Sequence, residues 1–212
     1  SFLAGAQSSG NTISGNIVGG NAADNSGSWV AAGSYLIGFD LKVGTVSVTE
    51  LQGNTIKNVN ISSSFAAMNA SDGWFNAGSV TGNTVTEIQC GYFNGIRLTS
   101  SVGNNKLNNS RISRILATGA SSGGIAGVNL TAALGDNTLN NNVVDTLSSA
   151  MYISTESGFI ALYAHTSGGG NSVSGNTVRN LTLTNASSYA SISAIRYTGT
   201  TAVPAAEIQG NT

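Results

Sequence analysis

A short motif recurs seven times along the chain and limits it to folds built from stacked, similar units. A typical copy, residues 51–56, has an aliphatic residue, any residue, a small turn residue, asparagine, threonine and a second aliphatic residue. Repeats at intervals of about 20–50 residues are typical of solenoids, whose units bury their apolar faces only by stacking on their neighbours. The motif asparagines are Asn11, Asn54, Asn83, Asn105, Asn137, Asn176 and Asn211.

The spacing within the motif predicts short strands that bend around an aliphatic interior. The shortest interval, from Asn83 to Asn105, is 22 residues, which suits three short strands better than two helices. Aliphatic residues lie two, five and seven positions after the asparagine. Spacings of two keep side chains on one face of a strand, whereas a spacing of three marks a bend. We expect the seven asparagines to lie at a bend, where Asn tolerates left-handed backbone, and to stack as one internal ladder joined by their side-chain amides.

A second signature precedes the asparagine in two units, at residues 95–99 (GIRLT) and 127–131 (GVNLT). Strand alternation places Arg97 and Asn129 on the outside. With both motifs the chain resembles the right-handed parallel β-helix (pectate-lyase-like) superfamily, of the phage tailspike or secreted surface adhesin type. The resemblance implies an all-β fold, a single-stranded right-handed parallel β-helix of about six to seven coils, that covers residues 1–212 as one domain.

The composition excludes several classes of function. Only 8% of the residues are charged and the net charge is −1, so we expect no nucleic-acid partner. No segment approaches the ~18 apolar residues of a membrane span, so we expect no membrane insertion. The single cysteine, Cys90, occupies a position that is aliphatic in other units, and we interpret it as a buried apolar residue.

The acidic residues do not form a recognisable catalytic pair, so the catalytic residues, if any, stay unassigned. Glycosidases need two carboxyl groups at about 5–10 Å, and no two acids occupy one repeat position in adjacent units. Asp145 lies close in phase to Arg111 and Arg114, which predicts an ion pair between units. Asp136 occupies the turn position of its motif. His165 is the only histidine, and we predict no metal and no cofactor.

The longest intervals between motif copies contain most of the large amphipathic side chains. Trp29 and Tyr35 lie in the first interval, and Glu156, Tyr163 and His165 lie in the fifth. Insertions in solenoids leave as loops, often on the binding face, and aromatic side chains dominate binding energy where they cluster. We therefore predict that these five residues contact a glycan. Trp74 matches the phase of core residues, so we expect it inside and Phe75 outside.

Three functions fit these features. The first is an extracellular, cell-surface or virion-surface module that binds a glycan or receptor, as in a tail fibre or adhesin. The second is a polysaccharide lyase or hydrolase on the same scaffold, a tailspike-like depolymerase. The third is a purely structural filament or shaft segment. Because the sequence begins and ends inside the repeat, we expect a larger or stacked assembly, formed as a trimer or by end-to-end stacking.

Overall fold

The chain folds as a parallel β-solenoid of about five turns, and the described residues contain no helix. The computed structural model describes residues 2–3, 9–31, 35–119, 124–150, 158–184, 191–199 and 207–212. The solenoid confirms the all-β fold class that the repeat predicts. The described residues form the strands β1 (Phe2–Leu3), β2 (Thr12–Ser14), β3 (Ile17–Val18), β4 (Trp29–Ala31), β5 (Tyr35–Lys42), β6 (Thr49–Gln52), β7 (Thr55–Ile61), β8 (Ser64–Ser71), β9 (Phe75–Ala77), β10 (Thr84–Cys90), β11 (Tyr92–Ser100), β12 (Lys106–Leu107), β13 (Arg111–Ala117), β14 (Ile125–Ala132), β15 (Val143–Ser149), β16 (Phe159–Thr166), β17 (Ser172–Ser174), β18 (Thr177–Leu183), β19 (Ile192–Gly199) and β20 (Glu207–Gln209).

These strands form three parallel faces around one apolar core. Sheet 1 has the order β1-β5-β8-β11-β14-β16-β19. Sheet 2 has the order β18-β15-β13-β10-β7-β3, with β4 also paired to β7. Sheet 3 consists of β12-β9-β6-β2 together with β17-β20, and isolated bridges through Thr138 connect the two groups. One turn runs from β6 in sheet 3 to β7 in sheet 2, β8 in sheet 1 and back to β9 in sheet 3.

The motif asparagines form two ladders at two different corners, rather than the single ladder that the sequence predicts. At the corner between sheets 3 and 2, the ladder side chains are Asn16, Asn54 and Asn83, then Asn142, Asn176 and Asn211, with Ser110 taking the intervening place. At the corner between sheets 1 and 3, Asn105 donates to Asn137, and Asn137 donates to Asn171, each through Nδ2 to Oδ1 at 2.9–3.0 Å. Asn11 precedes β2 at this second corner. The prediction of one ladder is therefore wrong.

The error has a physical cause, because both corners make the same bend and use the same residues to make it. Where two asparagines are adjacent in a ladder, the first donates its backbone N–H and its side-chain amide to Oδ1 of the second, as Asn54 does to Asn83 at 3.0 and 3.1 Å. Except at Asn83, the left-handed residue is the one before the ladder asparagine, with φ of 62° at Gly53 and 60° at Asp136. Asp136 is thus a turn residue, as predicted. Because each turn contains both corners, the 22-residue interval from Asn83 to Asn105 runs from one ladder to the other.

A column of left-handed residues bends the five long strands of sheet 2 in the middle. It consists of Asn58, Glu87, Arg114, Thr146 and Asn180, with φ between 55° and 59°. The register of β7, β10, β13, β15 and β18 places these five residues side by side. The inward aliphatics on either side are three positions apart, as Ile56 and Val59 are. The column is therefore the bend that the spacing of three predicts.

We expect Thr146→Asn to raise the free energy of unfolding by about 1 kcal/mol, because a β-branched residue is strained in left-handed backbone. Asparagine already occupies the equivalent position in the next strand, at Asn180. Urea unfolding measures the change. Thr182→Asn, an exposed position in the same sheet, is the matched control and should give no gain. Equal gains in both variants would contradict the strain argument.

The core assignments from the sequence are correct for Cys90 and reversed for one aromatic pair. Cys90 is fully buried, and burial raises the pKa of its thiol to about 12. Phe75 is fully buried in β9, whereas Trp74 lies half-exposed at the start of that strand. The prediction of an inward Trp74 and an outward Phe75 is wrong, because it aligned this segment with sheet 1 although it belongs to sheet 3.

Candidate functional site

The outer face of sheet 1 presents a column of polar and planar side chains. Residues on alternate positions of its strands point outward, and parallel register places equivalent residues of successive turns about 4.8 Å apart. The column runs through Asp40, Asn69, Arg97, Asn129, Tyr163 and Arg196. The outward positions predicted for Arg97 and Asn129 agree with this register.

A shallow groove of about 390 Å³ opens on this face, between β11 and β19. We call it the sheet-1 groove. It has polar side chains along one side and an apolar floor that includes Ile125 and Ile160, of which only 1% and 8% are exposed. The residues that line it are Asn94, Gly124, Ile125, Ala126, Asn129, Ile160, Tyr163 and Arg196.

Tyr163 and His165 extend the groove with an aromatic surface. They are two positions apart on β16 and therefore lie on the same face of the sheet. Their rings are stacked, with centroids 6.2 Å apart and an interplanar angle of 28°. The Nδ1 atom of His165 is buried and has no hydrogen-bond partner among the described residues. The Tyr163 ring lines the groove together with the amides of Asn94 and Asn129, and the His165 ring adjoins it.

The structure separates the five residues predicted to contact a ligand. Tyr163 and His165 lie together, while Tyr35 lies on β5, four strand steps or about 19 Å along the same sheet. Trp29 lies on β4 in sheet 2 and packs partly buried against the core. Glu156 lies outside the described residues.

The sequence interpretation also assigned the four described residues to loop insertions, whereas all four lie on strands. Tyr35, Tyr163 and His165 belong to sheet 1, and Trp29 pairs in register with Val59. The lining residues Asn94 and Arg196 were missed. Strand register could have identified both residues. Arg196 is aligned, through Tyr163, with the outward Asn129 of the GVNLT segment. Asn94, directly before the GIRLT segment, is aligned with Ala126, directly before the GVNLT segment.

Both acidic groups of the sheet 2 strands, Glu87 and Asp145, form ion pairs rather than an open acidic site. Asp145 accepts from Arg179 at 2.8 Å, from Asn180 at 2.9 Å and from Arg111 at 3.5 Å. The Arg179 guanidinium and the Asn180 amide lower the pKa of Asp145 to about 2. The predicted pairing of Asp145 with Arg111 is thus present, whereas Arg114 pairs with Glu87 at 2.8 Å.

Among the described residues, no three histidine, cysteine, aspartate or glutamate side chains cluster in a way that could hold a metal ion. The described part of the chain also has no helix long and apolar enough to cross a membrane. In the sheet-1 groove, the described lining residues supply amides, a phenol and a guanidinium, but no carboxylate. These groups can stack on a ligand and hydrogen-bond to it.

Comparison with known proteins finds no relative of this chain. No protein-family model matches the chain, and no curated protein or solved structure matches it. The resemblance to the pectate-lyase-like superfamily therefore depends on the two sequence motifs alone, and the fold itself is a parallel β-solenoid.

Proposed function

We propose that this chain is a non-catalytic binding module of an extracellular, cell-surface or virion-surface protein, and that its ligand is a glycan or a glycosylated receptor. The sheet-1 groove carries the proposal. It combines an apolar floor, the ring of Tyr163 with the adjoining His165 ring stacked beside it, and the side-chain amides of Asn94 and Asn129. The C–H face of a sugar packs against aromatic rings, while its hydroxyl groups need donors and acceptors of the amide type.

The repeating surface supports a polymeric ligand. Outward side chains of sheet 1 recur about every 4.8 Å along the solenoid, a step comparable with the length of one sugar residue in a chain. A polysaccharide aligned with the solenoid axis would meet Arg97, Asn129, Tyr163 and Arg196 in succession. The low net charge of −1 suits recognition by hydrogen bonds and stacking rather than by overall charge.

We expect Tyr163→Ala to weaken glycan binding at least about tenfold, which corresponds to about 1.4 kcal/mol. Tyr163 is only half-buried, so its truncation should leave the melting temperature nearly unchanged. A glycan array identifies a ligand, and titration calorimetry then measures the dissociation constants of both proteins.

Tyr35→Ala is the matched control, because Tyr35 is a 55% exposed tyrosine of the same sheet outside the groove. It should change the dissociation constant less than twofold. Equal losses in both variants, or no binding to any glycan, would contradict the proposed site. Release of reducing ends from a bound polysaccharide would contradict the non-catalytic function and favour a depolymerase.

A further inference from the structure

A second groove, of about 240 Å³, lies on a different face of the solenoid from the sheet-1 groove. Its lining comes from sheet 3 and from the corner before it: Val48, Trp74, Asn76, Asn104 and Lys106. We call it the sheet-3 groove. None of its lining residues belongs to the sheet-1 groove, so any ligand here is bound independently.

The indole of Trp74 forms a fixed wall of this groove. Trp74 is half-exposed because the next residue, Phe75, occupies the core. Its Nε1 donates to the backbone oxygen of Asn104 at 3.0 Å. The polar atom of the indole is thereby satisfied, and the remaining ring surface is apolar. A fixed aromatic surface of this kind contributes binding energy at little cost in side-chain entropy.

Asn76 presents an acceptor without a donor. Its Nδ2 donates to Glu50 Oε1 at 2.8 Å, so the opposite amide orientation would place Oδ1 against a carboxylate. Gln52 fixes the arrangement by donating from Nε2 to Glu50 Oε2 at 2.7 Å and to the Asn76 backbone oxygen at 2.9 Å. The Oδ1 atom of Asn76 is buried and has no partner among the described residues. Buried acceptors are seldom left unpaired, which makes this atom a place for a ligand donor.

Lys106 supplies the charge of the groove. It pairs in register with Asn76, one strand away, and its side chain is exposed. Among the described residues, the nearest carboxylate in this outward column is Glu50, two strands or about 9.6 Å away and already bonded to Gln52 and Asn76. The ammonium group can therefore receive an anionic group of a ligand.

We propose that the sheet-3 groove binds a single sugar residue that carries a carboxylate. The C–H face of the pyranose ring packs on Trp74, one hydroxyl group donates to Asn76 Oδ1, and the carboxylate accepts from Lys106 Nζ. The three groups lie on adjacent strands and at the corner between them, within the size of one monosaccharide.

Titration of the protein with sodium glucuronate tests the proposal, and glucose serves as the uncharged control sugar. The protein has two tryptophans, so its ¹H–¹⁵N spectrum has two indole signals, which Trp29→Phe assigns. We expect glucuronate to shift the Trp74 indole signal saturably while the Trp29 signal stays in place. Glucose should bind more weakly, because it cannot engage Lys106. No saturable shift of the Trp74 signal, or equal affinities for the two sugars, would overturn the proposal.

Lys106→Gln should weaken glucuronate about tenfold and leave glucose unchanged, since it removes one charge-assisted hydrogen bond. Lys57→Gln, on sheet 2, is the matched control and should have no effect. Asn76→Ala should weaken both sugars, with the unchanged Trp29 signal as the check on folding. Retained binding in Tyr163→Ala separates this site from the sheet-1 groove, whereas loss of the Trp74 shift in that variant would overturn the independence of the two sites.

Discussion

Replacing Asn137 with alanine should lower the free energy of unfolding by about 2–4 kcal/mol, because one side chain joins three turns. Its Oδ1 accepts from the backbone N–H and the Nδ2 of Asn105 at 3.1 and 3.0 Å. Its Nδ2 donates to Asn171 Oδ1 at 2.9 Å and to the Leu134 oxygen. Only 1% of Asn137 is exposed, so water cannot replace these partners, and each buried group left unpaired costs about 1–3 kcal/mol.

Chemical unfolding of the purified protein measures this loss. Asn60→Ala is the matched control, because Asn60 is an exposed asparagine of sheet 2. It should change the free energy of unfolding by no more than about 0.5 kcal/mol. Asn137→Asp should also destabilise, since a carboxylate cannot donate to Asn171 and Leu134. A variant Asn137→Ala as stable as Asn60→Ala would show that the ladder does not stabilise the solenoid.

Phe93→Ala should lower the free energy of unfolding by about 3–5 kcal/mol, the range for a deleted core aromatic ring. Phe93 is fully buried in β11 and pairs in register with Phe65 of β8. The backbone around it has little freedom to collapse into the cavity, because a Cβ on nearby Gly95 would lie 2.5 Å from Cδ1 of Ile112 in the facing sheet 2. The sheets are packed too closely there for the strands to approach further.

The graded variant Phe93→Leu distinguishes lost packing from a general effect of substitution. It should cost less than half as much as Phe93→Ala, because leucine fills most of the cavity. Leu116→Ala, at a position 40% exposed on sheet 2, should cost about 1 kcal/mol or less. Similar losses for Phe93→Ala and Leu116→Ala would contradict the described core.

The fold class could be predicted from the sequence because the repeat expresses one physical requirement, an inward aliphatic set in every turn. The assignment of corners could not. Asn54 and Asn137 belong to copies of the same motif but lie at different corners, since both corners use a left-handed residue followed by a stacked amide. Only the pairing of strands shows which corner a given copy makes, and pairing joins residues about 30 positions apart, such as Asn54 and Asn83.

The candidate sites show the same division between local and long-range information. Tyr163 and His165 could be found by composition, because large amphipathic residues are few in this chain. Asn129 could be placed outside by alternation. Arg196 and Asn76 could not be recognised, because their roles depend on neighbours in other turns. The prediction for Trp74 was wrong for the same reason. Aligning its segment with sheet 1 instead of sheet 3 reverses which residues of the strand face the core.

The three corners of the turn differ in the freedom they leave to the chain. In the described part of the chain, the connections from sheet 2 to sheet 1 show no asparagine ladder. Their lengths in the sequence range from one residue between Cys90 and Tyr92 to nine between Ser149 and Phe159. Length can change there while strand register on both sides is kept. The edge between sheets 2 and 1 is therefore a natural position for inserted peptides, and extra residues between Ile61 and Ser64 should be displayed there on an intact solenoid.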